Sequence, residues 1–82
     1  MYMSLIVYTK VGCPWCDDAL DFLKTNNVDF EEREVRNNPI FMKELEEKSN
    51  QSKAPTLDLD GEILADTDAK AIEVFLKEKG IL

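Results

Sequence analysis

The first third of the chain carries a strand, a helix and a second strand in succession, and this order restricts the fold more than any other feature. Leu5–Thr9 is rich in β-branched and aromatic residues and predicts a strand buried on both faces. From Pro14 to about Thr25 the apolar side chains form one stripe, which predicts an amphipathic helix. Residues 28–35 predict a second strand with one solvated face or edge. Because a helix connects the two strands, they are expected to be parallel.

The rest of the chain predicts a helix, a hairpin and a closing helix. Asn38-Pro39 is a helix-start signal, and residues 39–48 continue with an apolar stripe. Asp60-Gly61 is a turn dipeptide between the predicted strands Thr56–Leu59 and 62–65. Apolar spacing over residues 71–76 predicts a last helix, which Gly80 ends. The order β-α-β-α-β-β-α predicts an α/β protein with the thioredoxin fold, a four-stranded mixed sheet covered by three helices.

Size and charge limit the classes of partner. The 82 residues suit a single domain over residues 1–82. Seventeen acidic against ten basic side chains give a net charge of -7, which repels nucleic acid and anionic membrane surfaces. The longest apolar run, residues 5–8, is too short to span a bilayer, and residues 1–4 lack the positive flank of a signal peptide. We therefore expect a cytoplasmic monomer that binds neither nucleic acid nor membrane.

The two cysteines of the chain, Cys13 and Cys16, are three residues apart. A disulfide that closes so short a loop adds little stability, and an intracellular pair at this spacing is more often metal-binding or redox-active. Cys13 follows a predicted strand and begins a predicted helix, where unpaired N–H groups and the helix dipole favour a thiolate. Cys16, one turn later, is within reach to resolve a mixed disulfide. With no histidine in the chain, two thiolates leave a zinc site two ligands short, so no metal site is predicted in a monomer.

Two further features are candidates for substrate binding. Trp15 offers an apolar platform beside the reacting sulfur; the alternative is a partly buried anchor. Ala54-Pro55 stands just before the predicted hairpin. If this peptide bond is cis, the backbone of Ala54 faces the cysteines and can pair in β fashion with a bound disulfide substrate. The alternative is an ordinary trans proline that opens an edge strand.

These residues together resemble the glutaredoxins over nearly the whole chain. The resemblance is carried by Tyr8-Thr9-Lys10, Cys13-Pro14-Trp15-Cys16, Ala54-Pro55 and Asp60-Gly61. It implies that Cys13 is the nucleophile and Cys16 the resolving thiol, with disulfide-containing proteins as substrates and glutathione as co-substrate rather than a tightly bound cofactor. It further implies that Lys10 helps to bind the glycyl carboxylate of glutathione. Ala54, before a cis Pro55, would hydrogen-bond the tripeptide backbone.

The chain departs from the glutaredoxin pattern where that family binds the γ-glutamyl end of glutathione. Glutaredoxins carry a Gly-Gly pair there, followed by a small residue and aspartate, whereas residues 65–69 read Ala-Asp-Thr-Asp-Ala. The resemblance still implies that Thr67 and Asp68 bind the ligand through backbone N–H groups and a carboxylate. Asp66 puts a charge near the expected position of the ligand carboxylate. For each of these residues helix capping is the alternative.

A second departure is Asp17-Asp18, directly after the cysteine motif. These carboxylates oppose a nearby thiolate. We therefore expect a more reducing dithiol than in typical glutaredoxins.

The residues leave several functions open. The first is dithiol reduction of protein or glutathione mixed disulfides, with glutathione as the reductant. The second is a redoxin fed by thioredoxin reductase, which serves as electron donor to a reductase such as ribonucleotide reductase. A third is a dimer that carries an iron–sulfur cluster with glutathione as outside ligand, although Pro14 and the altered glutathione site argue against it. The last is a non-enzymatic interaction module, which would not need this motif at a helix start.

Overall fold

The computed structural model describes residues 4–82. Residues 1–3, on which part of the argument against a signal peptide rests, lie outside the described residues. The elements are β1 (Leu5–Thr9), α1 (Pro14–Thr25), β2 (Glu31–Glu34), α2 (Pro39–Ser49), β3 (Thr56–Leu59), β4 (Glu62–Leu64) and α3 (Ala69–Glu78). No helix within 4–82 is both long enough and apolar enough to cross a membrane.

The strands form one four-stranded sheet in the order β2-β1-β3-β4. β1 is parallel to β2 and antiparallel to β3, and β3 is antiparallel to β4. This is the mixed sheet that the element order predicts. Each helix begins at a residue whose side chain accepts a hydrogen bond from the first turn, namely Cys13, Asn38 and Asp68.

The second strand is shorter than the predicted 28–35. Val28 belongs to the turn after α1, because its N–H donates to the carbonyl of Leu23 at 3.0 Å. Val35 is also buried, just beyond the end of β2. Burial of Val28 therefore reflects packing beside the sheet, whereas Val35 still donates its N–H to the carbonyl of Thr9 in β1 at 2.9 Å. The four residues of β2 itself are exposed or half-buried, as expected of an edge.

Alternate residues of the central strands face opposite sides of the sheet. On one side the strands pack against α1 and α3, and the buried cluster comprises Leu5, Val7, Ala19, Leu23, Val28, Leu57, Leu59, Ile72 and Leu76. On the other side α2 covers a smaller cluster of Tyr8, Val35 and Leu45. Both faces of β1 are thus buried, as its composition predicts.

Four loops meet at one end of the sheet, and they build the candidate site. The carboxyl ends of β1, β2 and β4 and the amino end of β3 all lie at this end of the sheet, because β3 is antiparallel to its two neighbours. The N–H of Val11 donates to Glu34 Oε2 at 2.9 Å and ties the first two loops together. The N–H of Thr67 donates to the carbonyl of Pro55 at 2.9 Å and ties the last two.

Candidate active site

Cys13 stands between β1 and α1, at the helix start that the sequence predicts. Its backbone is extended, with φ -99 and ψ 111, and its Sγ accepts a hydrogen bond from the N–H of Cys16 at 3.3 Å. Pro14 occupies the first helical position, where no N–H is needed. The Sγ therefore lies at the positive end of the helix dipole, in a partly exposed position. Both features suit a sulfur that carries negative charge and reacts with an external partner.

Cys16 lies in a different environment from Cys13. It is 1% exposed and packs inside the first turn of α1. Burial raises the pKa of the Cys16 thiol to about 12, and the hydrogen bond with Cys13 acts in the same direction. Cys16 is thus a protonated thiol at neutral pH, shielded from solvent and adjacent to the sulfur of Cys13.

Ala54, which is followed by Pro55, lies next to Cys13. The peptide bond between Ala54 and Pro55 is cis, as the resemblance to glutaredoxins implies. The Sγ of Cys13 is 4.0 Å from the carbonyl oxygen of Ala54. Pro55 is fully buried beneath, whereas Ala54 remains half-buried at the surface. The structure therefore brings the backbone of Ala54 to the reacting sulfur.

A surface cavity of about 260 Å³ adjoins this point. It is lined by Trp15, Ala54, Asp66, Thr67 and Asp68. Trp15 is 63% exposed, so it is a surface platform and not a partly buried anchor. Four of the residues that the sequence suggests for substrate binding thus share one cavity.

Lys10 lies apart from this cavity. It is half-buried, and its carbonyl accepts a hydrogen bond from the N–H of Cys13 at 3.2 Å. Its position in the loop before Cys13 keeps it next to the site, although it does not line the cavity.

Thr67 and Asp68 are both engaged within the protein. Thr67 is buried, and its N–H is bonded to the carbonyl of Pro55. Asp68 Oδ1 accepts from the N–H of Ala71 at 2.8 Å, so this residue caps α3. The capping alternative is therefore confirmed for Asp68.

Asp66 belongs to the site, although sequence reasoning treats it only as a departure from the family pattern. Its φ is +48, in the left-handed region that favours glycine. Its N–H donates to Thr56 Oγ1 at 3.2 Å, which holds the residue against the start of β3. Its side chain is 57% exposed, with Lys53 Nζ 3.9 Å from the carboxylate. Glutaredoxins carry a Gly-Gly pair in this stretch. Those glycines are the signal that could have predicted a left-handed backbone at Asp66.

Glu34 is a positioning residue that the sequence does not reveal. Burial opposes ionisation of Glu34, but hydrogen bonds from the backbone N–H groups of Arg36, Asn37 and Val11 outweigh it and lower the pKa of the carboxyl. One ionised side chain thereby joins the loop before Cys13 to the loop after β2. In the sequence, Glu34 stands in a run of charged residues that is typical of a solvated strand, so nothing in the pattern indicates its contacts with two loops.

Comparison with known proteins identifies the family. The family model for Glutaredoxin matches residues 5–64. The chain belongs to the glutaredoxin family. This glutaredoxin is 28% identical over 72 residues to an uncharacterized glutaredoxin-like 8.6 kDa protein in the rubredoxin operon of Clostridium pasteurianum, covering 88% of this chain and 96% of that protein.

Solved structures support the same fold. The thioredoxin-like protein BC3987 matches with a TM-score of 0.81 and 32% identity, over 89% of this chain and 100% of that one. The glutaredoxin grx-1 from Archaeoglobus fulgidus matches with a TM-score of 0.77 and 18% identity, over 90% and 86% of the two chains, which is a likeness of fold. The predicted thioredoxin fold is thus confirmed.

This glutaredoxin is a thioredoxin-fold redox protein with one accessible and one buried thiol. The family match ends at residue 64, so the cavity residues 66–68 lie beyond it. Within residues 4–82, no group of three or more histidine, cysteine, aspartate or glutamate side chains is arranged to hold a metal ion. The partly exposed sulfur of Cys13, bonded to the N–H of Cys16, gives the site the arrangement that thiol–disulfide exchange requires.

Proposed function

We propose that this glutaredoxin is a dithiol disulfide oxidoreductase that reduces protein or glutathione mixed disulfides. Cys13 is the nucleophile and Cys16 the resolving thiol. The observation that carries this assignment is the difference in access between the two sulfurs: Cys13 is partly exposed at the helix start, whereas Cys16 is 1% exposed. Cys13 can therefore reach the disulfide of an external substrate. Cys16 can react only with a sulfur next to it, such as that of Cys13.

The reaction has two exchange steps. The thiolate of Cys13 attacks one sulfur of the substrate disulfide; that S–S bond breaks, and the other substrate sulfur leaves as a thiolate. Cys16 then gives up its proton to a leaving thiolate and attacks the Sγ of Cys13. The mixed disulfide breaks, the second substrate sulfur leaves as a thiol, and a Cys13–Cys16 disulfide remains. Two electrons have passed from the protein to the substrate.

The environment of Cys16 supports this sequence of steps. Burial is the larger cause of its raised pKa, and the hydrogen bond and negative charge of Cys13 add to it. Once Cys13 is joined to a substrate, its sulfur is neutral and no longer repels charge on Cys16. Cys16 is therefore held as a thiol in the free protein and becomes easier to ionise in the mixed disulfide.

The backbone at Ala54 supports substrate binding in an extended form. Its carbonyl lies 4.0 Å from the sulfur of Cys13, and Ala54 and Trp15 line the same cavity. A substrate segment next to its disulfide would pair with the backbone of Ala54 and lie against the indole ring.

Two electron donors are candidates for reopening the Cys13–Cys16 disulfide. Glutathione is the proposed co-substrate by family resemblance, with Lys10 as the partner of its glycyl carboxylate. Thioredoxin reductase is the second candidate, and the cavity favours it. The N–H of Thr67 is occupied by the carbonyl of Pro55, and Asp66 presents a carboxylate. In that case the protein would serve as electron donor to an enzyme such as ribonucleotide reductase. We place its action, as a monomer, in the reducing cytoplasm, where the dithiol would be maintained.

Stopped-flow reduction of the oxidised protein separates the two donors. Trp15 is the single tryptophan of the chain and stands between Cys13 and Cys16 in the sequence, so its fluorescence is the readout. Each donor, glutathione or thioredoxin reductase with NADPH, is mixed with the same oxidised sample. The physiological donor is expected to reduce the Cys13–Cys16 disulfide faster than the other donor when each is present at its cellular concentration.

Cysteine variants test the chemistry itself. Cys13→Ser is expected to abolish disulfide reduction, whereas Cys16→Ser should still attack and should accumulate a mixed disulfide with a protein substrate, visible by mass spectrometry. Normal turnover by Cys13→Ser would contradict the proposed function.

A further inference from the structure

The cavity beside Cys13 has a distinctive charge. Among residues 4–82, its lining includes the two carboxylates Asp66 and Asp68 and no lysine or arginine. Lys53 pairs with Asp66: its Nζ is 3.9 Å from Oδ2 of the carboxylate, and both side chains are more than half exposed. Such a pair is weak because water screens it. The cavity therefore presents negative charge to an incoming group.

This charge lies where a substrate must be held. Ala54 lines the cavity, and its carbonyl oxygen is 4.0 Å from the Sγ of Cys13. Trp15, two residues after Cys13, forms another wall. The groups attached to a disulfide under attack by Cys13 therefore extend over Ala54 into the cavity that the two carboxylates line.

Asp66 is held in place by the backbone. Its N–H is bonded to Thr56 Oγ1, and the next N–H, of Thr67, is bonded to the carbonyl of Pro55. Both bonds tie residues 66–67 to the segment that contacts Cys13. The backbone of Asp66 is therefore fixed at the wall of the cavity, and its exposed carboxylate extends from that fixed point.

We infer that this cavity selects disulfides by charge, and that Asp66 is the residue that determines the selection. It favours substrates with an ammonium or guanidinium group next to the reacting sulfur, such as a protein disulfide flanked by lysine or arginine. It disfavours substrates with a carboxylate at that place. The inference rests on the proposed disulfide reduction at Cys13 and adds its substrate class.

The magnitude follows from Coulomb's law. Two unit charges about 5 Å apart in water change a rate or equilibrium constant by roughly fourfold. The effect increases the rate for a cation and decreases it for an anion. Loss of the Asp66 charge removes both effects and should therefore change the ratio of the two rates by roughly sixteenfold at low salt.

The test uses three small symmetric disulfides with the prereduced protein. Cystamine carries two ammonium groups, bis(2-hydroxyethyl) disulfide is neutral, and 3,3′-dithiodipropionate carries two carboxylates. Second-order rate constants are measured by Trp15 fluorescence in single-turnover mixing, so no reductant is needed. The wild type is expected to react in the order cationic, neutral, anionic, with a ratio that falls as salt is added.

Two variants remove the charge of Asp66 in different ways. Asp66→Asn keeps the size of the side chain, and both asparagine and the glycine of Asp66→Gly tolerate the left-handed backbone. The cationic-to-anionic ratio should fall by roughly sixteenfold at low salt in both. The matched control is Glu78→Gln, which makes the same change in net charge at the far end of α3 and should leave the ratio unchanged.

The outcomes distinguish this inference from the proposed function. If the wild type reacts through Cys13 but the ratio is unchanged in either Asp66 variant, or falls equally in Glu78→Gln, charge selection by Asp66 is wrong and disulfide reduction stands. If the wild type reacts with none of the three probes, or Cys13→Ser reacts as fast, both proposals are wrong.

Discussion

The two faces of the sheet are held by different forces. On the face covered by α1 and α3, the contacts are between apolar side chains, of which Leu23, Leu57 and Ile72 are fully buried. On the face covered by α2, the buried ring of Tyr8 meets charged groups. The hydroxyl of Tyr8 donates to Glu44 at 2.9 Å and accepts from Lys48 at 2.7 Å.

The charged groups on the α2 face form a connected network. Lys48 also donates to Asp58 at 2.7 Å, and Glu44 pairs with Arg33 at 2.6 Å. Burial opposes the ionisation of Glu44, but hydrogen bonds from Tyr8 and Arg33 outweigh it and lower the pKa of Glu44. Burial likewise opposes the charge on Lys48, yet its hydrogen bonds to Asp58 and Tyr8 raise the pKa of Lys48.

This difference in the forces on the two faces indicates how the stability of each face depends on pH and salt. Apolar packing does not depend on ionisation, so the face that carries the active-site helix α1 should respond little to pH and salt. The α2 face depends on partners that stay charged. Substitutions on the two faces are therefore expected to differ in size and in their dependence on pH.

The largest effect is expected on the apolar face. Leu23→Ala removes a fully buried side chain from the cluster that α1 forms with the sheet and α3, and should lower the free energy of unfolding by about 2–5 kcal/mol. Urea denaturation at pH 7 measures the loss. The control is Ile40→Ala, at a position 71% exposed, which should change stability by less than about 0.5 kcal/mol. Equal losses in the two variants would contradict the assignment of the core.

An intermediate effect is expected when one partner of the network is removed. Lys48→Met leaves Asp58, whose side chain is 10% exposed, as an unpaired charge, and should cost roughly 2 kcal/mol. The double variant Lys48→Met/Asp58→Asn removes that charge and should recover part of the loss. If the double variant is less stable than Lys48→Met, the ion pair does not act as described.

The smallest effect is expected from Glu44, and it should depend on pH. The pKa of Glu44 is lower in the folded protein than its ordinary value of 4.5, so it contributes stability above that value and loses it as pH falls through the folded pKa. Glu44→Gln should therefore lose less than about 1 kcal/mol at pH 7, and the difference from wild type should shrink by pH 3.

Urea midpoints at the two pH values measure this difference. Glu47→Gln, at an exposed position on the same helix, is the control and should follow the wild type at both. A Glu44→Gln deficit that grows on acidification would have the wrong sign and would refute the account.

Local patterns predicted much of the fold. The strand Leu5–Thr9, the helix Pro14–Thr25 and the Asp60-Gly61 turn were all recognisable because each depends on neighbouring residues. The second strand was predicted to begin too early because apolar Val28 is buried in the turn after α1, whereas Val35 does bond to the backbone of β1 just beyond the end of β2. Periodicity alone cannot distinguish a paired residue from one that only fills space beside the sheet.

The site was predicted in its chemistry and only partly in its contacts. Cys13 and Cys16 carry a motif, and the family resemblance pointed to the cis bond before Pro55. The contacts of Glu34 with two loops and of Asp58 with Lys48 join residues that lie far apart or in different elements. Such contacts depend on the assembled fold, so no local pattern indicates them.

The two outer strands also determine where another chain can form β-type hydrogen bonds with this protein. An unpaired strand edge is a template for aggregation, and proteins protect it with charge or by keeping the strand short. Here every side chain of β2 over Glu31–Glu34 is charged, and β4 on the opposite edge has only three residues. Edge-to-edge association is thereby disfavoured on both flanks, so the proposed pairing of a substrate with the half-buried Ala54, next to the sulfur of Cys13, would have little competition from the strand edges.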